Sequence, residues 1–307
     1  MKAIIAIPVT ILLVIRAYTR NSLTPAGILA AIFTATVHAL HPSSIPFTLL
    51  IVFFLLGTSA TKVKHEVKAT LTLSNDGSSG GEGPRTSVQV LANSGAASIL
   101  ILTHLWIYGS QGEYSCFGHG NKNTADLLLF GIIANYAAVA ADTLSSELGI
   151  LSKSKPVLIT SLRTVPPGTN GGVSAAGLVA GIGGSAAIAT TAVLLLRLCH
   201  DEVQNRFTIF VSTTFLGTAG TLLDSLLGAI LQASVIDRRS GKIVEGHGGV
   251  KVLVKPKTPA SPSAKTINHV ESRIINSGFD ILDNNQINFL MASILSIAGI
   301  LVGTLIV

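Results

Sequence analysis

Eight apolar stretches, separated by segments too short for a soluble domain, constrain this 307-residue chain more than any motif in it. They run about Ala3–Tyr18, Pro25–Ala39, Ile45–Ala60, Ser87–Tyr108, Thr124–Asp142, Gly172–Leu198, Phe207–Gln232 and Gln286–Val307. A helix needs roughly 17–25 predominantly apolar residues to cross a bilayer, and several of these reach that length. Only 12% of residues are charged and the mean hydropathy is +0.60, where soluble domains carry about a quarter charged residues. The pattern predicts an all-α fold: a polytopic integral membrane helical bundle of about eight spans, with seven to nine in range. Residues 1–307 read as a single membrane domain with flexible cytoplasmic loops at about 61–86 and 233–285. The first apolar run imitates a secretory signal, but Arg16 and Arg20 follow it without a small-residue cleavage pattern, so a retained helix is expected.

An even number of spans puts both termini on one side. Of the 21 Lys and Arg residues, 17 then fall on the opposite side and four, Lys2, Lys122, Arg197 and Arg206, share the side of the termini. The positive-inside rule makes the basic side cytoplasmic and the termini lumenal or outside. Long loops count for less in that rule, yet without the final loop the bias is still 9 to 4. The net charge of +6 is thus explained by topology, and the dispersed basic residues lack the aromatic interleaving of a nucleic-acid surface. Cys116 and Cys199 form no CxxC and no metal spacing, which argues against zinc or thiol chemistry and leaves them as ordinary small residues.

Polar groups inside apolar helices are costly and tend to face a bundle interior or a wet cavity. Here they fall in helical registers. Arg85, Gln89 and Asn93 are spaced i, i+4, i+8 at the start of the fourth span. Asp142 and Ser146, with Glu147 beside them, close the fifth; Asp224, Gly228 and Gln232 close the seventh; Asn284 and Asn288 enter the eighth. In the eight-span topology every stripe lies at the basic side. Single Ser, Asn or Gln residues commonly cap or join helices, but four stripes carrying acidic groups converge on one surface. The run Val165-Pro-Pro-Gly-Thr-Asn-Gly-Gly-Val173 precedes the sixth span, where glycines permit close backbone approach and a helix N-terminus offers unpaired N–H groups. An ordinary helix-entry turn reads equally well there, and no Gly-Lys-Ser/Thr follows as in a Walker A loop. Gly177 and Gly181 read as close helix packing. His38, His104 and His119 show no paired ligand spacing and receive no role.

The strings Arg85-Thr-Ser-Val-Gln-Val-Leu-Ala-Asn93, Ala141-Asp-Thr-Leu-Ser-Ser-Glu-Leu-Gly149, Ile159-Thr160 with the Val165–Val173 run, Asp224-Ser-Leu-Leu-Gly-Ala-Ile-Leu-Gln232 and Leu282-Asp-Asn-Asn-Gln-Ile-Asn288 together resemble the transmembrane protein 19 family. The plant branch of that family is a phytyl-phosphate kinase. The resemblance therefore implies phosphoryl transfer from a nucleoside triphosphate, with CTP the expected donor, to an isoprenyl monophosphate. On that reading Arg85, Lys62, Asp142 and Glu147 are the catalytic candidates. Mg²⁺, a hard cation preferring oxygen ligands, would be held by Asp142, Glu147, Asp224 and Asp283. Substrate and nucleotide would be bound by Gln89, Asn93, Ser146, Gly168, Thr169, Asn170, Gly171, Gly172, Asp224, Ser225, Gln232, Asn284, Asn285 and Asn288. An endoplasmic reticulum membrane is the expected location. The competing class is a transporter or flippase of a phosphorylated isoprenoid or other anionic lipid. Such proteins favour internal repeats and a midplane site, whereas these stripes lie near one surface.

Overall fold

A computed structural model of the protein describes residues 3–81, 83–109, 116–118, 123–199, 203–254 and 272–306. Lys2, His119, Lys122, Lys265 and the Pro/Ser-rich Lys255–Ser263 segment lie outside the described residues. Helices α1 (Ala3–Thr19), α2 (Pro25–Leu40), α3 (Ile45–Lys62), α5 (Ser87–Tyr108), α6 (Thr124–Gly149), α7 (Ala175–Leu195), α8 (Val203–Leu231) and α9 (Asn284–Ile306) correspond to the eight apolar stretches; a short α4 (His65–Leu71) is additional. Six of them are long and apolar enough to cross a membrane, and α1 and α2, at 17 and 16 residues, are apolar but shorter. Some boundaries differ from the sequence reading. The fifth stretch does not stop at Asp142 but continues as α6 for two more turns, because nothing in Thr143–Gly149 breaks a helix.

Side-chain caps set several of the helix starts. Thr86 and Gln89 form a reciprocal box at the start of α5: the Thr86 hydroxyl accepts from Gln89 N–H at 3.3 Å, and the Gln89 amide oxygen accepts from Thr86 N–H at 2.9 Å. Asp283 and Gln286 repeat the arrangement at α9. Ser174 caps α7, accepting from Gly177 N–H at 3.1 Å.

Helix α6 is the axis of the bundle. It is buried on every face from Ala125 to Ala141, with the sole exception of half-buried Leu127, and packs against α3, α5, α7, α8 and α9. The neighbours approach closely because the facing residues are small. A Cβ at Gly177 would stand 2.9 Å from the Ser145 carbonyl oxygen, at Gly181 3.1 Å from that of Ala141, and at Gly184 2.7 Å from that of Ala140. The packing role expected for Gly177 and Gly181 is the one the structure gives them.

The two segments expected to be flexible loops carry ordered elements at one end of the bundle. Strands β1 (Leu73–Ser74), β4 (Ser234–Asp237), β5 (Ile243–Glu245) and β6 (Arg273–Ser277) form a sheet in the order β1-β5-β4-β6, with β1 parallel to β5 and β4 antiparallel to both its neighbours. Strands β2 (Val157–Leu158) and β3 (Gly172–Val173) pair antiparallel before α7. Strands this short leave too little periodicity to read from sequence.

At the opposite end, Cys116 and Cys199 are joined in a disulfide. This corrects the reading of both as ordinary small residues. The bond ties the α5–α6 connection to the α7–α8 connection, and backbone bonds between Phe117 and Arg197 and between Cys199 and Phe117 (2.8 and 3.0 Å) run beside it. An 83-residue separation with no motif conceals such a pair from sequence.

Candidate functional site

The polar stripes meet. A cavity of about 350 Å³ opens between the helix ends and the small sheet. Gln89 and Asn93 of α5 line it, with Arg85 from the extended residues just before that helix rather than from its expected helical register, as do Asp142, Ser146 and Glu147 of α6 and Asp224, Ser225 and Gln232 of the α8 end. The Gly168, Thr169, Asn170, Gly171 and Gly172 run lines it from another side, and Asp283, Asn284 and Asn288 close it at α9. Four helices deliver these groups to one place because each stripe repeats every four residues on a single face.

Lys62 and Asn285 are not among the lining residues. Lys62 is exposed at the end of α3, and the buried cation of the site is Lys68, which α4 folds back beneath the helix ends. Asn285 is buried and donates to the Gly248 carbonyl at 2.9 Å, so it supports the loop above α9. One residue beyond Asn284 is about 100° around a helix, which turns Asn285 off the face that Asn284 and Asn288 share.

The basic corner of the cavity is a connected network. Lys68 Nζ donates to Glu147 Oε2 at 2.5 Å and to the Ala60 carbonyl at 2.9 Å, with both side chains under a tenth exposed. The Thr61 hydroxyl donates to Glu147 Oε1 at 2.5 Å, and Arg85 Nη2 approaches Thr61 Oγ1 at 3.5 Å. The Arg85 guanidinium lies over Gly57, where a Cβ would come within 2.9 Å of Nη1. Its backbone is held on both sides, donating to Ser22 O and accepting from Thr24 N–H, each at 3.0 Å. Arg85 is thus positioned before any ligand arrives. Glu147 is the internal counter-ion of Lys68, which corrects its expected role as a metal ligand.

The acidic corner is different. Asp142 and Asp224 both line the cavity, and their carboxyl groups lie close enough to interact. With its amide nitrogen turned toward the acceptors, Asn288 donates to Asp224 Oδ2 at 3.0 Å and to the Asn284 carbonyl at 3.2 Å. Two carboxyl groups in contact repel when both are ionised unless a proton or a cation lies between them. Mg²⁺ is commonly held by one or two carboxylates, with substrate phosphates and water completing its shell. The Asp142–Asp224 pair fits that description. Among the described residues no three His, Cys, Asp or Glu gather into one metal-binding group. Asp283 Oδ1 caps α9, accepting from Gln286 N–H at 2.9 Å. Of the four expected carboxylates, Asp142 and Asp224 are the two that stand together, Glu147 being paired with Lys68 and Asp283 engaged in capping α9.

The glycine run has a structural duty beside any binding one. Gly168 and Gly171 have φ of +83° and +76°, and a Cβ at Gly171 would stand 2.4 Å from that of Ala229. The N–H groups of Thr169, Asn170 and Gly172 bond to Pro166 O, Ser234 Oγ and Thr169 O. Sequence reasoning missed Thr61, Lys68 and Glu245. Burial and the nearby Glu147 push the half-buried Glu245 carboxyl above the usual range, while it accepts from Gly81 N–H at 3.4 Å. The string Gly246-His-Gly-Gly249 directly after Glu245 was the available signal for a turn next to that carboxylate.

Spanning helices around a buried bundle axis, with a polar cavity at one set of their ends, define a multi-pass integral membrane protein. The chain belongs to the integral membrane protein family DUF92, matching it over residues 8–296. It is 34% identical over 293 residues to Protein PGR of Arabidopsis thaliana, covering 94% of this chain and 91% of that one. An uncharacterised membrane protein of Methanocaldococcus jannaschii is 34% identical over 184 residues, 60% of this chain and 64% of its own. Protein VTE6, chloroplastic, of Arabidopsis thaliana is 26% identical over 212 residues, 69% of this chain and 57% of that relative. No solved structure matches.

Proposed function

We propose that the protein is an integral membrane kinase that transfers a phosphoryl group from a nucleoside triphosphate, CTP by preference, to an isoprenyl monophosphate. The observation that carries this reading is the pairing, within one cavity at the membrane surface, of a two-carboxyl corner with a basic corner. Phosphoryl transfer needs positioning and neutralisation of charge more than covalent help from the protein. The resemblance to a family with a phytyl-phosphate kinase branch supplies the substrate class. Bound between Asp142 and Asp224, Mg²⁺ would neutralise charge on the nucleotide phosphates. Asn288 holds Asp224 in place for that duty. Arg85 faces the cavity to stabilise charge on the phosphoryl in flight, and Lys68 with Thr61 fixes the floor beneath it. The lipid phosphate is already a nucleophile, so no base is required. Its oxygen bonds to the γ-phosphorus as the bond from that phosphorus to the β–γ bridging oxygen breaks. The products are a nucleoside diphosphate and an isoprenyl diphosphate.

The cavity face would be cytoplasmic and the termini lumenal, in the endoplasmic reticulum membrane. The disulfide at the opposite end supports that orientation, since disulfides persist in oxidising compartments. The test is to incubate purified protein with CTP or ATP, Mg²⁺ and farnesyl, geranylgeranyl or phytyl monophosphate. Diphosphate formed by the wild type and reduced at least about 10²-fold in Asp142→Asn is expected. No product from any pair of substrates refutes the reading.

A further inference from the structure

The wall of the cavity beside α9 has two faces. Its segments 250–253 and 279–282 turn Lys251, Asp280 and Leu282 toward the cavity. Leu253, Phe279 and Ile281 face outward, 83%, 66% and 57% exposed. Three large apolar side chains so displayed mark a surface that something apolar covers. Their level is fixed by the chain: Phe279 N–H donates to Ile230 O at 2.9 Å and Ile281 N–H to Leu231 O at 3.1 Å, at the last two residues of α8. Asn284 begins α9 three residues after Ile281. The strip therefore lies level with the ends of two helices long and apolar enough to span a membrane, where lipid would border it.

Lys251 fastens the two segments together. Its ammonium forms an ion pair with Asp280 Oδ1 at 3.1 Å and donates to the carbonyls of Asp280 and Ile281, both at 2.9 Å. The pair is half-exposed on the cavity lip, where an ion pair contributes little and can give way to an arriving anion.

We propose that this strip is a membrane-seated doorway. A single-chain lipid phosphate enters the cavity sideways from the adjacent leaflet, its tail against Leu253, Phe279 and Ile281 and its headgroup passing Lys251. The fate of the phosphate inside rests on the kinase reading; the doorway itself does not.

The chain's only tryptophan, Trp106, lies near the far end of α5 and is first replaced by Phe. Phe279→Trp is then introduced and the protein reconstituted in phosphatidylcholine vesicles. The doorway requires that the F279W emission be quenched by bromine on the acyl chains, be shielded from aqueous iodide, and change saturably with farnesyl monophosphate but not with inorganic phosphate. Emission quenched by iodide and untouched by bromine, or indifferent to farnesyl monophosphate, overturns it. None of these readings needs turnover, so a quenched, lipid-responsive F279W with no phosphoryl transfer refutes the kinase and keeps the doorway. In the active protein, Leu253→Ser/Phe279→Ser/Ile281→Ser raises KM for farnesyl monophosphate in vesicles about tenfold with kcat retained. A water-soluble five-carbon monophosphate is used equally by both proteins. An equal loss on both substrates, or on neither, counts against the doorway.

Discussion

Replacing Lys68 by methionine asks whether the basic corner is held together by its buried ion pair. The substitution keeps the aliphatic stem and removes the ammonium that lies 2.5 Å from Glu147. Breaking a buried pair by removing one partner costs about 3–5 kcal/mol, because the remaining charge stays desolvated. Glu147 would keep the Thr61 hydroxyl at 2.5 Å, and Arg85 stands one further step away, so the lower end, about 3 kcal/mol, applies. In a 307-residue chain one kcal/mol moves Tm by about 2 °C, giving a fall of about 6 °C. The assay is thermal unfolding in one detergent at one pH and one scan rate. Lys68→Met/Glu147→Gln removes both charges and should recover most of the loss, since neither partner is left charged and buried. A Lys68→Met protein that melts within about 1 °C of wild type, or a double variant whose loss equals the sum of the single ones, would refute the buried-pair argument.

Gly184→Ala should destabilise by about 1–3 kcal/mol, since its methyl would press on the Ala140 carbonyl of α6, whereas Gly183→Ala, with open space around it, should not; paired melting curves decide. Glu245 has a folded-state pKa raised above its ordinary 4.5, so the folded protein holds that proton more tightly and stability falls as pH rises through the interval above 4.5. Glu245→Gln should flatten that part of the pH–Tm profile, and an unchanged slope would remove burial as the cause. In sealed microsomes, Cys116 and Cys199 should resist a membrane-impermeant maleimide until reduced, and then react only from the lumenal side. Labelling from the cytosolic side would invert the proposed orientation.

What could be read from sequence was whatever repeats along a helix. Gln89 and Asn93 reached the cavity together because four-residue spacing places them on one face of α5, while Arg85, two residues ahead of the helix, is brought there by its bridge to Leu23. Asn285, admitted with its motif and not by that spacing, has its side chain pointing elsewhere on α9. Lys68 was passed over for Lys62, a few residues away and of the same charge, because only the turn of α4 decides which lysine is buried. Glu147 read as a metal ligand because a carboxylate announces its charge but not its partner. The four-stranded sheet brings β1 beside β5 across some 170 residues, and no local pattern encodes a pairing of that reach.

The alanine-rich middle of α6 also works as a ruler. Asp142 stands one residue past Ala141, and Asp224 stands one turn past Gly220, where a Cβ would lie 2.6 Å from that of Ala138. The vertical offset between the two carboxyl groups is therefore measured out below them, in a dry seam that touches neither. A single added methyl in that seam shifts one helix against the other and respaces the pair while every residue of the cavity keeps its identity.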